Sequence, residues 1–195
     1  MDDLILKAFS NNLPCGQDCK YEDSFLLIEQ EVDKSNSVTQ DGPTEWKIVV
    51  KNCENFLINE SKDLKIASWL VYGLWKSNSW EALYSGLIVY NDLLVKFKED
   101  IYPKSKKAKT NIFTWLEDSL TNDILTNKNN KNSITNEKDF LDLFQNLNTN
   151  INRHLESENN NFRKIIQFIE SLIKEKNIEI SKKENIEKEK EKKEK

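Results

Sequence analysis

The stretch Trp80-Glu81-Ala82-Leu83-Tyr84-Ser85-Gly86-Leu87-Ile88-Val89-Tyr90-Asn91-Asp92-Leu93-Leu94-Val95-Lys96-Phe97 decides the fold class. Within it Trp80, Leu83, Leu87, Tyr90, Leu94 and Phe97 recur in alternating steps of three and four. An α-helix turns once every ~3.6 residues, so these side chains share one stripe and commit it to a helical core. Gly86 on such a helix costs about 1 kcal/mol relative to alanine, and a close crossing with a second helix is the reason to keep it.

The same period continues on both sides. Toward the N-terminus, Ser61 opens a helix start signal, and Leu64, Ala67, Val71 and Leu74 line one stripe behind it. Trp46, Val49, Val50, Cys53, Phe56 and Leu57 mark a helix over 45–59, and Phe25, Ile28 and Val32 a shorter one. Residues 35–44 read as a polar loop. Residues 1–23 read as a short helix and an irregular loop, in which Pro14 and Gly16 set the backbone and Asp18 is placed to cap the next helix. Toward the C-terminus, Tyr102-Pro103 ends the deciding helix. A basic loop, Lys104 to Lys109, then leads to a helix carrying Ile112, Trp115, Leu116, Leu120 and Ile124.

These helices form a first domain, residues 1–125. An Asn/Lys-rich linker (126–136) has almost nothing to bury. Beyond it lie two helical patterns over 137–180, one built on Phe140, Leu143, Phe144, Leu147, Ile151 and Leu155, the other on Phe162, Ile165, Ile166, Ile169, Leu172 and Ile173. They are expected to form an antiparallel hairpin. The tail, 181–195, alternates Lys and Glu around Ile186 and is expected to be disordered or a nascent solvated helix. The fold class is all-α: a multi-helix bundle with an added C-terminal hairpin.

Composition narrows the function. The chain of 195 residues has a net charge of −4, and its only arginines are Arg153 and Arg163. A nucleic-acid binder needs a cationic surplus to release phosphate counterions, so nucleic acid is not an expected partner. The apolar run around 66–75 is too short to span a bilayer, which takes about 20 residues. The opening Met1-Asp2-Asp3-Leu4 is acidic where a secretory signal is basic. Three cysteines cannot all pair, and reduced thiols in a cytoplasmic setting are expected.

Catalytic chemistry lacks its parts in the sequence. His154 is the single histidine, and beside Arg153 and Leu155 it reads as a boundary residue, not a general base. The glycines at 16, 42, 73 and 86 are too scattered for a phosphate loop. Cys15-x-x-x-Cys19 offers half a zinc site without a second pair. No catalytic, cofactor or metal residue is expected. Trp46, Trp69, Trp75, Trp80 and Trp115 read as core, although Trp69 and Trp75 fall partly off the Leu64–Leu74 stripe.

The order of these features resembles a family. Pro14-Cys15-Gly16-x-Asp18 followed by Tyr21 and Phe25 is similar to the opening of the ImpA N-terminal domain of TssA proteins, components of type VI secretion systems. Trp46 at a helix start continues the likeness. Ser61-Lys62-Asp63-Leu64-Lys65-Ile66-Ala67-Ser68-Trp69-Leu70 resembles the family's S-K-D-L-R-x-A-x-W-L segment, and Gly86-Leu87, Tyr102-Pro103 and Trp115-Leu116 come next in family order. The match spans about residues 10 to 120.

The resemblance implies an all-helical, non-enzymatic scaffold or adaptor in secretion-system assembly. Its implied partners are baseplate, sheath, inner-tube or membrane-complex subunits; a homo-oligomer is possible but not indicated. Pro14, Cys15, Gly16, Asp18, Ser61, Lys62, Asp63, Lys65 and Trp69 form the candidate contact and motif set. Either Ser61 or Asp63 caps the helix, and Lys65 is solvent-facing or paired with an acid. Trp46, Leu64, Ala67, Trp80, Leu83, Leu87, Tyr90, Leu94, Trp115 and Leu116 form the candidate core. Beyond about residue 125 the chain lacks the extended ring-forming region of longer members, so a ring or sheath-end cap is not expected. The alternative is a helical interaction adaptor or regulator unrelated to secretion.

Overall fold

The structure, a computed structural model, describes residues 2–36, 42–77, 80–126, 134 and 136–193. Among them are eight α-helices: α1 (Asp2–Ile5), α2 (Asp23–Asp33), α3 (Trp46–Asn59), α4 (Leu64–Lys76), α5 (Trp80–Lys96), α6 (Lys106–Thr126), α7 (Glu137–Leu155) and α8 (Arg163–Lys193). A short 3-10 turn, Lys34–Asn36, succeeds α2. The fold is all-α.

Helix α4 is the hub. Leu64, Ile66, Ala67, Trp69, Leu70, Val71 and Trp75 are buried on several of its faces, as expected of a helix surrounded by others. It packs against α3, α5 and α6, while α2 packs on α3. The α5 stripe is fully enclosed, since Trp80, Leu83, Leu87, Tyr90, Leu94 and Phe97 are all buried. A Cβ on Gly86 would lie 3.5 Å from Val71 Cα and 2.8 Å from Leu74 Cδ1, so the bare position permits the α4–α5 crossing. Deep in that interface the hydroxyls of Ser68 and Tyr90 are 3.0 Å apart, which pairs two polar groups that would otherwise be orphaned.

Both tryptophans that fall off the α4 stripe are interior. Trp69 lies 5.6 Å from Phe25 on α2, and Trp75 packs edge-on against Trp80 at 5.0 Å. Trp46 and Trp115, expected as core, are only half-buried and flank Tyr72, at 5.1 and 5.5 Å. Each stands at the rim of a helix interface, where the ring covers apolar surface and one edge meets water.

Helices α7 and α8 form the antiparallel hairpin and share the apolar core of α1–α6. Phe140 packs edge-on to Trp80 (5.2 Å) and Tyr84 (5.0 Å), and Asn150 Nδ2 donates to Asn91 Oδ1 at 2.7 Å. Most of the 126–136 linker lies outside the described residues. The backbone of α8 runs as one helix through Lys193, across the segment read as either a nascent solvated helix or a disordered tail. Glu and Lys are good helix formers, and no glycine or proline interrupts them. The basic loop is corrected: Lys106 to Lys109 are the first turn of α6.

Candidate docking site

Three segments distant in sequence meet at one junction. The 14–17 loop, the α3–α4 turn and the Tyr102–Pro103 corner are joined by backbone hydrogen bonds. Lys62 N–H donates to Cys15 O (2.9 Å), Tyr102 N–H to Lys62 O (3.0 Å), and Leu64 N–H to Tyr102 O (2.7 Å). Ser61 Oγ donates to Gln17 O at 2.6 Å, holding the loop from its other side. Gly16 sits at φ +73°, and a Cβ there would stand 2.6 Å from Glu60 O. Only glycine combines that dihedral with that approach. The Tyr102–Pro103 peptide is cis.

The motif residues divide into two groups. Cys15, Ser61 and Lys62 are buried in the junction and help to build it. Lys62 Nζ donates to Leu57 O at 2.5 Å, capping an α3 carbonyl, and lies 4.4 Å from the Phe9 ring centroid. Burial lowers its ammonium to about 8. The capping residue is Asp63, whose Oδ1 accepts from Lys65 N–H (2.7 Å) and Ile66 N–H (3.1 Å). Burial pushes that carboxyl up to about 6 against the opposing pull of those two amides.

The second group divides in exposure: Asp18 and Lys65 reach solvent, whereas Asp63 and Trp69 are buried. Asp18, Asp63, Lys65 and Trp69 line a groove of about 870 Å³, walled by α2 and the start of α6, with α4 as its floor. Phe25, Val32 and Ile112 extend the apolar surface, and Tyr21, 79% exposed, stands at the edge. Lys65 Nζ pairs with Glu29 Oε1 at 2.5 Å and sits 5.0 Å from the Trp69 ring, which fixes the acid-pairing alternative. Of its charges, Lys65 and Glu29 are paired, while the exposed Asp33 carboxylate has no ion pair among the described residues. Such a surface suits binding better than proton transfer.

Sequence reasoning missed a second buried lysine. Lys109, placed in the solvated loop, is buried on α6, with Nζ 3.5 Å from His154 Nδ1. His154 Nε2 is 2.8 Å from Leu94 O, and since a carbonyl can only accept, Nε2 carries the proton. Burial lowers the imidazole below its usual value and keeps it neutral, so His154 is a clasp between α5, α6 and α7. The thiols are equally inert: burial raises Cys15 to about 12 and drives Cys53 well above the ordinary range. Among the described residues no group of three His, Cys, Asp or Glu side chains is placed to hold a metal, and no helix is long and apolar enough to cross a membrane.

The molecule is thus a helical bundle with a groove beside a glycine-dependent junction. Its lineage emerges from comparison with known proteins. The family described as "ImpA, N-terminal, type VI secretion system" matches residues 6–118, and the chain belongs to that family. It is 28% identical over 124 residues to the "Type VI secretion system component TssA1" of Pseudomonas aeruginosa, a match covering 60% of this chain and 36% of that protein. The chain thus corresponds to well under two thirds of that relative. Its fold is similar to a solved N-terminal domain, including the conserved ImpA_N region, of the TssA component from Burkholderia cenocepacia. There the TM-score is 0.60 at 13% identity, covering 90% of this chain and 94% of the other. Coverage of that extent takes in the α7–α8 hairpin as part of the shared fold.

Proposed function

We propose that this chain is a non-enzymatic scaffold or adaptor in type VI secretion assembly, acting in the cytoplasm by docking baseplate, sheath, tube or membrane-complex subunits. The observation that carries this reading is the groove of about 870 Å³ bordered by Asp63, Lys65 and Trp69, with the exposed Tyr21 ring at its edge. Family membership supplies the apparatus, and the groove supplies the mode of action. Asp63 caps a helix and Lys65 sits in an ion pair with Glu29, which supports a surface that binds without reacting.

Retention of secretion subunits by the tagged full chain tests it. The wild type is expected to retain at least one baseplate, sheath, tube or membrane-complex subunit from a lysate in which the system is expressed. The Tyr21→Ala, Asp18→Ala double variant is expected to retain it less. Failure of the folded wild type to retain any of these subunits removes the assignment.

A further inference from the structure

The chain holds one histidine, and three helices meet on it. His154 stands in the last turn of α7 and is half-buried against α5 and α6. Its Nε2–H donates to Leu94 O of α5 at 2.8 Å, which leaves Nδ1 with a free lone pair. Facing that lone pair at 3.5 Å is Nζ of Lys109, a buried α6 side chain whose ammonium can only donate. The clasp therefore holds while the imidazole is neutral. A second proton, on Nδ1, would turn the acceptor into a donor and set two cations face to face.

The groups around the pair do not neutralise that second charge. Among the described residues, no carboxylate lies within ion-pair distance of His154 or Lys109. After α5, the exposed Glu99 is paired with Lys98 at 3.5 Å, and Lys104 with Asp100 at 3.7 Å. On α6, Lys106 is paired with Glu156 of the hairpin turn at 3.3 Å. On α7 itself, Arg153 donates to Asn150 Oδ1 at 3.1 Å and adds positive charge. The Cys15 thiol, which also bears on Lys109, is neutral. Burial first, then Lys109 and Lys98, disfavour the imidazolium, against the weaker pull of the Leu94 carbonyl and Glu99.

The two ends of α7 are held by different chemistry. At its start Phe140 packs edge-on against Trp80 and Tyr84, a contact that gains no proton near neutrality. At its end stands the histidine clasp. We propose that His154 is an acid-sensitive latch: protonation of Nδ1 loosens the C-terminal end of α7 from α5 and α6, while the N-terminal end stays on Trp80 and Tyr84. The docked ring resists the second proton, whereas a freed imidazole takes it up near ~6.5. The latch is therefore closed above that pH and weakens as pH falls below it. Between pH 7.5 and 5.5 the gain in favour of opening reaches at most about tenfold, the ratio set by an ordinary imidazole. The latch lies outside the groove and is independent of the scaffold reading.

Because the histidine is single, its ring signals in nuclear magnetic resonance of the full labelled chain read the latch without ambiguity. The expected result is the Nε2–H tautomer at pH 7.5 and a titration midpoint below ~6.5. Amide exchange over Leu147 to Leu155, corrected for its intrinsic pH dependence, is expected to quicken about three- to tenfold between pH 7.5 and 5.5. Exchange at Phe140 to Phe144 is expected to change less than about twofold. His154→Gln keeps an N–H for Leu94 O and never charges, so it is expected to abolish the quickening. The Asp63 and Glu117 carboxyls, raised by burial, pull the other way but are common to both chains. Lys109→Met is expected to raise the midpoint. A wild-type midpoint at or above ~6.5, the Nδ1–H tautomer, no quickening, an equal quickening in His154→Gln, or an unchanged midpoint in Lys109→Met overturns the proposal.

Discussion

Replacing Gly16 by alanine puts the junction to a quantitative test. At φ +73° an alanine pays the left-handed backbone penalty, roughly 1–2 kcal/mol. Its Cβ would also lie 2.6 Å from Glu60 O, a backbone atom that cannot swing aside. The loop must then retreat, stretching the Lys62 N–H to Cys15 O bond and the Ser61 hydroxyl contacts, worth about 1 kcal/mol for each bond lost. The sum is about 2–4 kcal/mol. For a chain of this length each kcal/mol moves Tm by about 2–4 °C, so a drop of roughly 5–15 °C is expected. Gly42→Ala is the internal control. Gly42 has φ +93° with nothing within 4 Å of a Cβ, so only the backbone penalty applies. Urea unfolding of both variants, with unchanged m-values, isolates the steric part as a difference of about 1–2 kcal/mol. Equal destabilisation of the two variants would refute the claim that the loop is pinned against the α3–α4 turn.

Three further outcomes rest on the same geometry. Asp63 has a folded-state value of about 6, above the ~3.9 of an unfolded aspartate, so the folded state holds the proton more tightly and its stability falls as pH rises from about 4 to 6. Asp63→Asn should flatten that slope in a pH series of urea midpoints, and an unchanged slope would show the carboxyl to be solvated. Lys62 titrates near 8 when folded against ~10.4 unfolded, so stability should rise as pH climbs from about 8 toward 10, and Lys62→Met should abolish the rise. Phe140→Ala should cost about 3–5 kcal/mol, because Phe140 is enclosed by Trp80 and Tyr84; a loss under about 1 kcal/mol would mean that the α7–α8 hairpin docks only loosely.

The helices were legible because their evidence is periodic and local. The Trp80–Phe97 stripe, the start signal opening at Ser61 and the crossing at Gly86 each depend on residues within a turn or two of one another, or on a missing side chain. What stayed hidden depends on distance. Lys62 read as a motif or contact residue and Lys109 as part of a basic loop; their burial depends on Leu57 O and on His154, whose placement only the tertiary fold determines. The candidate contact set mixed two roles for the same reason. Ser61, Lys62 and Asp63 adjoin Lys65 in sequence, yet the turn buries the first three and leaves Lys65 half-exposed beside the groove. Tyr102 was legible only as a helix end, although it bridges Lys62 and Leu64. The groove itself is a gap between α2 and α6, about 70 residues apart at their nearest, and no spacing rule reports a gap.

The most direct measurement of the central claim is sheath assembly in living host cells that lack this gene, tracked with a fluorescent sheath subunit. The account predicts few or no extended sheaths in the deletion strain and recovery with the wild-type chain. Sheaths that form at normal frequency and length without the gene would contradict a scaffold role in assembly.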